Sequence, residues 1–190
     1  MMGDYEAVVI GVSAGGFSAL TELLPLIPAN FPLAIAIVQH RNDDRDNYLC
    51  QHLDKHCQIP VSEASFNGQL MPGHIYLAPA NYHLLIETDR LFSLSVGPAV
   101  RYSIPSIDVL FESAADAYGG KLIGIVLTGA NDDGSLGLKK IRARGGLAIV
   151  EDPRSAEVST MPQSAIDIAG ADHILPLAEI AGFLTGIPHE

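Results

Sequence analysis

Ala7-Val-Val-Ile-Gly-Val12 runs directly into Ser13-Ala-Gly-Gly16. Six apolar residues without alternation read as a strand covered on both faces, the pattern of a parallel sheet. The glycines predict a sharp turn that projects Ser13 Oγ. Phe17, Leu20, Leu23 and Leu24 then recur at helical spacing, until Pro25 and Pro28 end the helix. Two further apolar runs have the same strand-then-polar-loop form. Ala34-Ile-Ala-Ile-Val-Gln39 stops on His40, and Leu122-Ile-Gly-Ile-Val-Leu-Thr128 stops on Gly129-Ala-Asn-Asp-Asp133-Gly134. Chemistry in open α/β sheets gathers outside the carboxyl ends of the parallel strands. A serine, a histidine and an aspartate delivered to that edge therefore define a site hypothesis.

The remaining elements extend the same architecture. Leu147–Val150 and Ile174–Leu175 read as strands. Helices are predicted around Tyr48–Leu53, after Pro105 with Ser106 as N-cap, across Leu136–Ile141, from Met161 to Ala169 and from Leu177 to Phe183. Between Ile59 and Val96 the pattern changes to short strands: Pro60–Glu63, Ile75–Ala78, His83–Ile86 and Leu91–Leu94. Turn residues at Pro79-Ala-Asn81 and Thr88-Asp-Arg90 separate the later ones, which predicts an antiparallel hairpin or meander at one edge of the sheet. The fold class is α/β: a doubly wound, mainly parallel sheet with an antiparallel hairpin, in one domain.

Composition narrows the function classes. At 190 residues, 48% hydrophobic and 17% charged, the chain carries a full core. A net charge of −11 without a Lys or Arg run argues against nucleic acid and anionic membranes. Apolar runs are strand-length, too short to insert in a membrane, and the acidic start Met1–Glu6 is no signal peptide, so a cytoplasmic location is expected. The terminal Ile187–Glu190 is expected to fray. Cys50 and Cys57 lie about 10 Å apart along one predicted helix, beyond disulfide reach, and are expected to be reduced, buried thiols. His52 and His56 stand between them at i and i+4. With no third ligand nearby they read as a helix face that carries imidazoles, not as a metal site.

Gly11-Val-Ser13-Ala-Gly15 fits G-x-S-x-G at a strand-to-helix turn. Ser13 is the candidate nucleophile, and the amides of Ala14, Gly15 and Gly16 are candidate oxyanion donors. A phosphate-binding turn is the competing reading, but Ser13 takes the place of the middle glycine of the dinucleotide pattern. His40 is the candidate base, because a serine hydroxyl needs one and imidazole suits the task near neutrality. Asp132 and Asp133 are both candidates to orient it; each also reads as a helix cap, and local chemistry does not choose between them. No metal or cofactor is expected.

The segments Ile10–Gly16, Val38-Gln-His40, Pro72–Pro79, His83, Pro105–Phe111, Leu127–Gly134 and Met161-Pro162 together resemble the catalytic domain of the CheB family, the chemotaxis protein-glutamate methylesterases. The resemblance implies demethylation of glutamate γ-methyl esters on chemoreceptor helices, with deamidation of receptor glutamines in many members. It places the nucleophile on Ser13, the base on His40 and the acid on Asp133. Members of the family usually carry an N-terminal receiver domain, for which Met1–Glu6 leaves no room, so one CheB-like domain over 1–190 with no receiver domain is expected, with a separate regulatory protein as a candidate partner. Ala14, Ala130, Arg41-Asn42 and Ile104 depart from the residues common in the family. Two alternatives remain: a carboxylesterase or deamidase acting on a non-receptor substrate, and a non-catalytic signalling or binding module on the same fold.

Overall fold

The computed structural model describes residues 5–40 and 47–186. Residues 41–46, with Arg41-Asn42, and both chain ends, with the expected fraying of 187–190, lie outside the described residues. Nine strands and six α-helices are described: β1 (Ala7–Val12), α1 (Gly16–Leu23), β2 (Ala34–Gln39), α2 (Tyr48–His56), β3 (Val61–Glu63), β4 (Ile75–Leu77), β5 (His83–Ile86), β6 (Phe92–Ser95), α3 (Ile107–Tyr118), β7 (Leu122–Val126), α4 (Ser135–Ala143), β8 (Leu147–Glu151), α5 (Thr160–Ala169), β9 (His173–Leu175) and α6 (Leu177–Thr185).

The main sheet has seven parallel strands in the order β3-β4-β2-β1-β7-β8-β9. The unbroken apolar runs lie at its centre: β1 pairs with β2 on one side and β7 on the other, and all six β1 residues are buried. Chain order reverses across β1, since the strands after it build outward on the β2 side before β7 returns to its other flank. The crevice at this switch point is where ligands of such sheets bind.

Strand alternation divides the core in two. Val8, Ile10, Ile35, Ile37 and Ile125 face Leu20, Leu23, Leu53 and Leu184 of α1, α2 and α6. Ala7, Val9, Ala34, Ala36 and Ala148 face Leu110, Phe111, Ile141 and Ala165 of α3, α4 and α5. The small residues on the second face let α3 approach closely. Gly11 is the extreme case: a Cβ there would fall 2.2 Å from Ile107 Cγ2, so the first glycine of the G-x-S-x-G pattern admits the start of α3 instead of shaping the turn.

The antiparallel hairpin is present as β5–β6, a second two-stranded sheet. It contributes Leu84, Ile86 and Phe92 to the α3 side of the core. The strands expected to run antiparallel beside it do not. β3 and β4 join the main sheet in parallel, with β4 between β2 and β3. Three-residue strands joined by a helix-free connection look like a meander in sequence. Here the connection instead crosses over, and burial of Ile75 and Leu77 fixes the pairing. No helix among the described residues is long and apolar enough to cross a membrane.

Candidate active site

The ladder of the three central strands continues one step past their ends. The Ser13 amide donates to the Thr128 carbonyl at 3.0 Å, and the His40 amide donates to the Val12 carbonyl at 3.0 Å. Ser13, His40 and the loop after β7 are thus locked side by side by backbone. Gly15, at φ 78°, turns the chain into α1, a left-handed conformation that glycine adopts without a Cβ penalty. The Thr128 hydroxyl holds the turn from behind, donating to the Ala14 carbonyl at 2.8 Å.

Side chains complete one hydrogen-bonded line. His40 Nδ1 lies 3.2 Å from Ser13 Oγ, and His40 Nε2 lies 2.8 Å from Asp133 Oδ2. A carboxylate only accepts, so the ring proton belongs on Nε2 and the Nδ1 lone pair faces the serine. Such an arrangement can draw the hydroxyl proton onto Nδ1 while the carboxylate steadies the cation that forms.

The choice between the two aspartates is made by packing. Asp133 is 0% exposed and sits at the N-terminus of α3. Its Oδ1 accepts from Ser106 Oγ at 2.9 Å and the Asp108 amide at 3.0 Å; its Oδ2 also accepts from the Ile107 amide at 2.7 Å. Burial pushes its pKa up, but the His40 hydrogen bond and the Asp108 and Ile107 amides outweigh it, so the carboxyl is held below the usual aspartate range. Asp132 points away and pairs with Arg101, which also reaches Asp108 at 3.1 Å. Asp108 is shifted the other way: burial and the neighbouring Asp133 charge raise its pKa against the Gly137 amide and Arg101.

Of the three expected oxyanion donors, Gly16 is spent, since its amide donates to the Ser13 carbonyl at 2.8 Å. The turn closes on itself through that bond. Ala14 and Gly15 amides donate to no acceptor among the described residues. Sequence reasoning missed three residues around the line. Asn131 accepts from the Asp133 amide through Oδ1 at 3.1 Å, which directs its Nδ2 to within 3.5 Å of His40 Nδ1. Gln39 Nε2 bridges the Ser13 and His40 carbonyls at 3.0 and 2.8 Å. Ser106, expected as a helix cap, serves Asp133 as well. The Asx-type spacing of Asn131 and Asp133 was the only local signal.

His52 and His56 stack on one face of α2, with ring centroids 4.4 Å apart. Among the described residues no group of three or more His, Cys, Asp or Glu could hold a metal ion. Neither Cys50 nor Cys57 is in a disulfide. Cys50 is buried as expected, whereas Cys57 is only half-buried; burial, with the Asp54 charge, pushes its thiol up to about 11.

A doubly wound sheet that joins serine, imidazole and carboxylate at the ends of its central strands has the layout of a serine hydrolase. Residues 8–184 match the CheB methylesterase family, and the chain belongs to it. It is 51% identical over 178 residues to a candidate protein-glutamate methylesterase/protein-glutamine glutaminase of Leptospira interrogans, covering 94% of this chain and 92% of that protein. The protein-glutamate methylesterase FrzG of Myxococcus xanthus is 39% identical over 95% of this chain, which spans 54% of FrzG. The crystal structure of the Thermotoga maritima CheB methylesterase catalytic domain superimposes with a TM-score of 0.91 at 34% identity, covering 95% of this chain and 97% of that one.

Proposed function

We propose that this chain is a protein-glutamate methylesterase that removes methyl groups from glutamate γ-methyl esters of chemoreceptors and deamidates receptor glutamines, with Ser13, His40 and Asp133 as its reacting groups. Ser13 Oγ attacks the ester carbonyl while its proton passes to His40 Nδ1. Asp133 keeps the ring oriented and offsets its charge. The Ala14 and Gly15 amides receive the oxyanion. His40 then protonates the departing methoxide, methanol leaves, and an acyl-serine remains. Water, deprotonated by His40, attacks that acyl group and releases glutamate and free Ser13. For a glutamine substrate the leaving group is ammonia. The site acts in the cytoplasm on receptor helices.

The observation that carries this reading is the Ser13–His40–Asp133 line, at 3.2 and 2.8 Å, in a chain of the CheB methylesterase family. Methanol release from a methylated chemoreceptor tests it. Wild type is expected to release methanol, and Ser13→Ala to lose about 10⁴- to 10⁶-fold in turnover. Comparable release by Ser13→Ala overturns the assignment. Hydrolysis of p-nitrophenyl esters with none of methylated receptor assigns the same site to a non-receptor substrate.

A further inference from the structure

His83 is buried at 3% exposure, on the first strand of the hairpin and outside the line from Ser13 to Asp133. Both ring nitrogens are engaged. Nε2 lies 3.0 Å from the Pro98 carbonyl, which only accepts; Nδ1 lies 3.1 Å from the Ser106 amide, which only donates. These partners fix one neutral tautomer, with the proton on Nε2 and the lone pair on Nδ1.

The amide that His83 holds belongs to the residue that begins α3. Ser106 is 0% exposed. Its hydroxyl donates to Asp133 Oδ1, and the next two amides, Ile107 and Asp108, supply two more of the carboxylate's donors. We propose that His83 is a positioning residue for the hydrolysis: the acceptor on its Nδ1 sets the start of α3, and through it the donors that hold Asp133 in line with His40. The inference rests on the reading of Ser13, His40 and Asp133 given above.

The physical reason is the state of the Ser106 amide. As the N-cap residue its N–H has no intrahelical acceptor, and burial keeps water from supplying one. Without His83 the donor is orphaned, and the junction relieves that cost by shifting. A shift there carries the Ser106 hydroxyl and the Ile107 and Asp108 amides with it. The hairpin is thereby tied to the chemistry without touching the substrate.

Two substitutions separate the two ring nitrogens. In His83→Asn the side-chain oxygen takes a position near Nδ1 and keeps an acceptor for Ser106. In His83→Gln the amide nitrogen falls near Nε2 and keeps the Pro98 contact alone. On a methylated receptor, His83→Asn is expected within roughly threefold of wild-type kcat and His83→Gln about tenfold or more below it, with KM unchanged in both. Adding Ser106→Ala to His83→Gln is expected to cost little more, because both act on one contact set. Equal kcat for the Asn and Gln variants, or additive losses in the double variant, overturns the proposal. Should neither His83 variant fold, Ser106→Ala carries the test, with about a tenfold loss in kcat at constant KM expected and wild-type kcat overturning it. Wild-type turnover by Ser13→Ala would remove the underlying reading of the site instead.

Discussion

Asp133 and Glu151 are buried carboxylates at the carboxyl ends of adjacent strands, exposed to 0% and 3%, and the molecule treats them in opposite ways. Asp133 accepts from His40, Ser106 and the Ile107 and Asp108 amides. Glu151 accepts from the Thr128 amide at 2.8 Å and faces the Glu22 charge. Burial raises Glu151, the Thr128 amide opposes it, and Glu22 adds to the rise; the net shift is upward. Burial alone therefore does not decide ionisation. The number of donors pointing at the carboxylate does. The region proposed to stabilise a transient imidazolium has them, at the N-terminus of α3, and the region behind the serine turn has few.

The largest effect expected from breaking this contrast is at Asp133. Asp133→Asn keeps the shape but puts an amide opposite His40 Nε2, favouring the wrong tautomer, and is expected to lower kcat by about 10⁴. Steady-state methanol release reads it directly, and a loss under tenfold would separate Asp133 from the chemistry. Next comes Asn131→Ala, which removes the amide beside His40 Nδ1. A loss of about tenfold in kcat is expected, with KM and melting temperature near wild type; an unchanged kcat would leave Asn131 a turn residue only.

The smaller effects concern stability, and their signs differ. Asp133 has a lowered pKa, so its contribution is fully present above the ordinary aspartate value and is lost as pH falls through the lowered one. Melting temperatures of wild type and Asp133→Asn are expected to converge in that acid range. Glu151 has a raised pKa, so wild type loses stability as pH rises from the ordinary glutamate value through the raised one. Glu151→Gln can still accept from Thr128. It is expected to melt roughly 2–4 °C higher at neutral pH, with the gain vanishing in acid. A destabilised Gln variant at neutral pH would contradict the assigned direction.

Much of this was legible from the chain alone where one segment sufficed. The uninterrupted apolar runs of β1, β2 and β7 announced a buried parallel sheet, and the residues following them announced the line of Ser13 and His40. What could not be read depended on distant packing. Asp132 and Asp133 are chemically alike as neighbours. They differ because α3, whose first residues lie about 25 positions earlier in the chain, docks its amides on one while Arg101 takes the other. Gly11 read as a turn residue because its constraint, Ile107, is 96 residues away. β3 and β4 are too short to carry a direction, and His83 looks like any buried strand residue until the Ser106 amide is placed against it.

Covalent labelling with a fluorophosphonate probes the central claim, that Ser13 is a nucleophile activated by His40 and Asp133. The expected result is one label per chain, recovered on Ser13 by peptide mapping, abolished in Ser13→Ala and slowed in Asp133→Asn. No label on the wild-type chain, or a label that persists in Ser13→Ala, would contradict it.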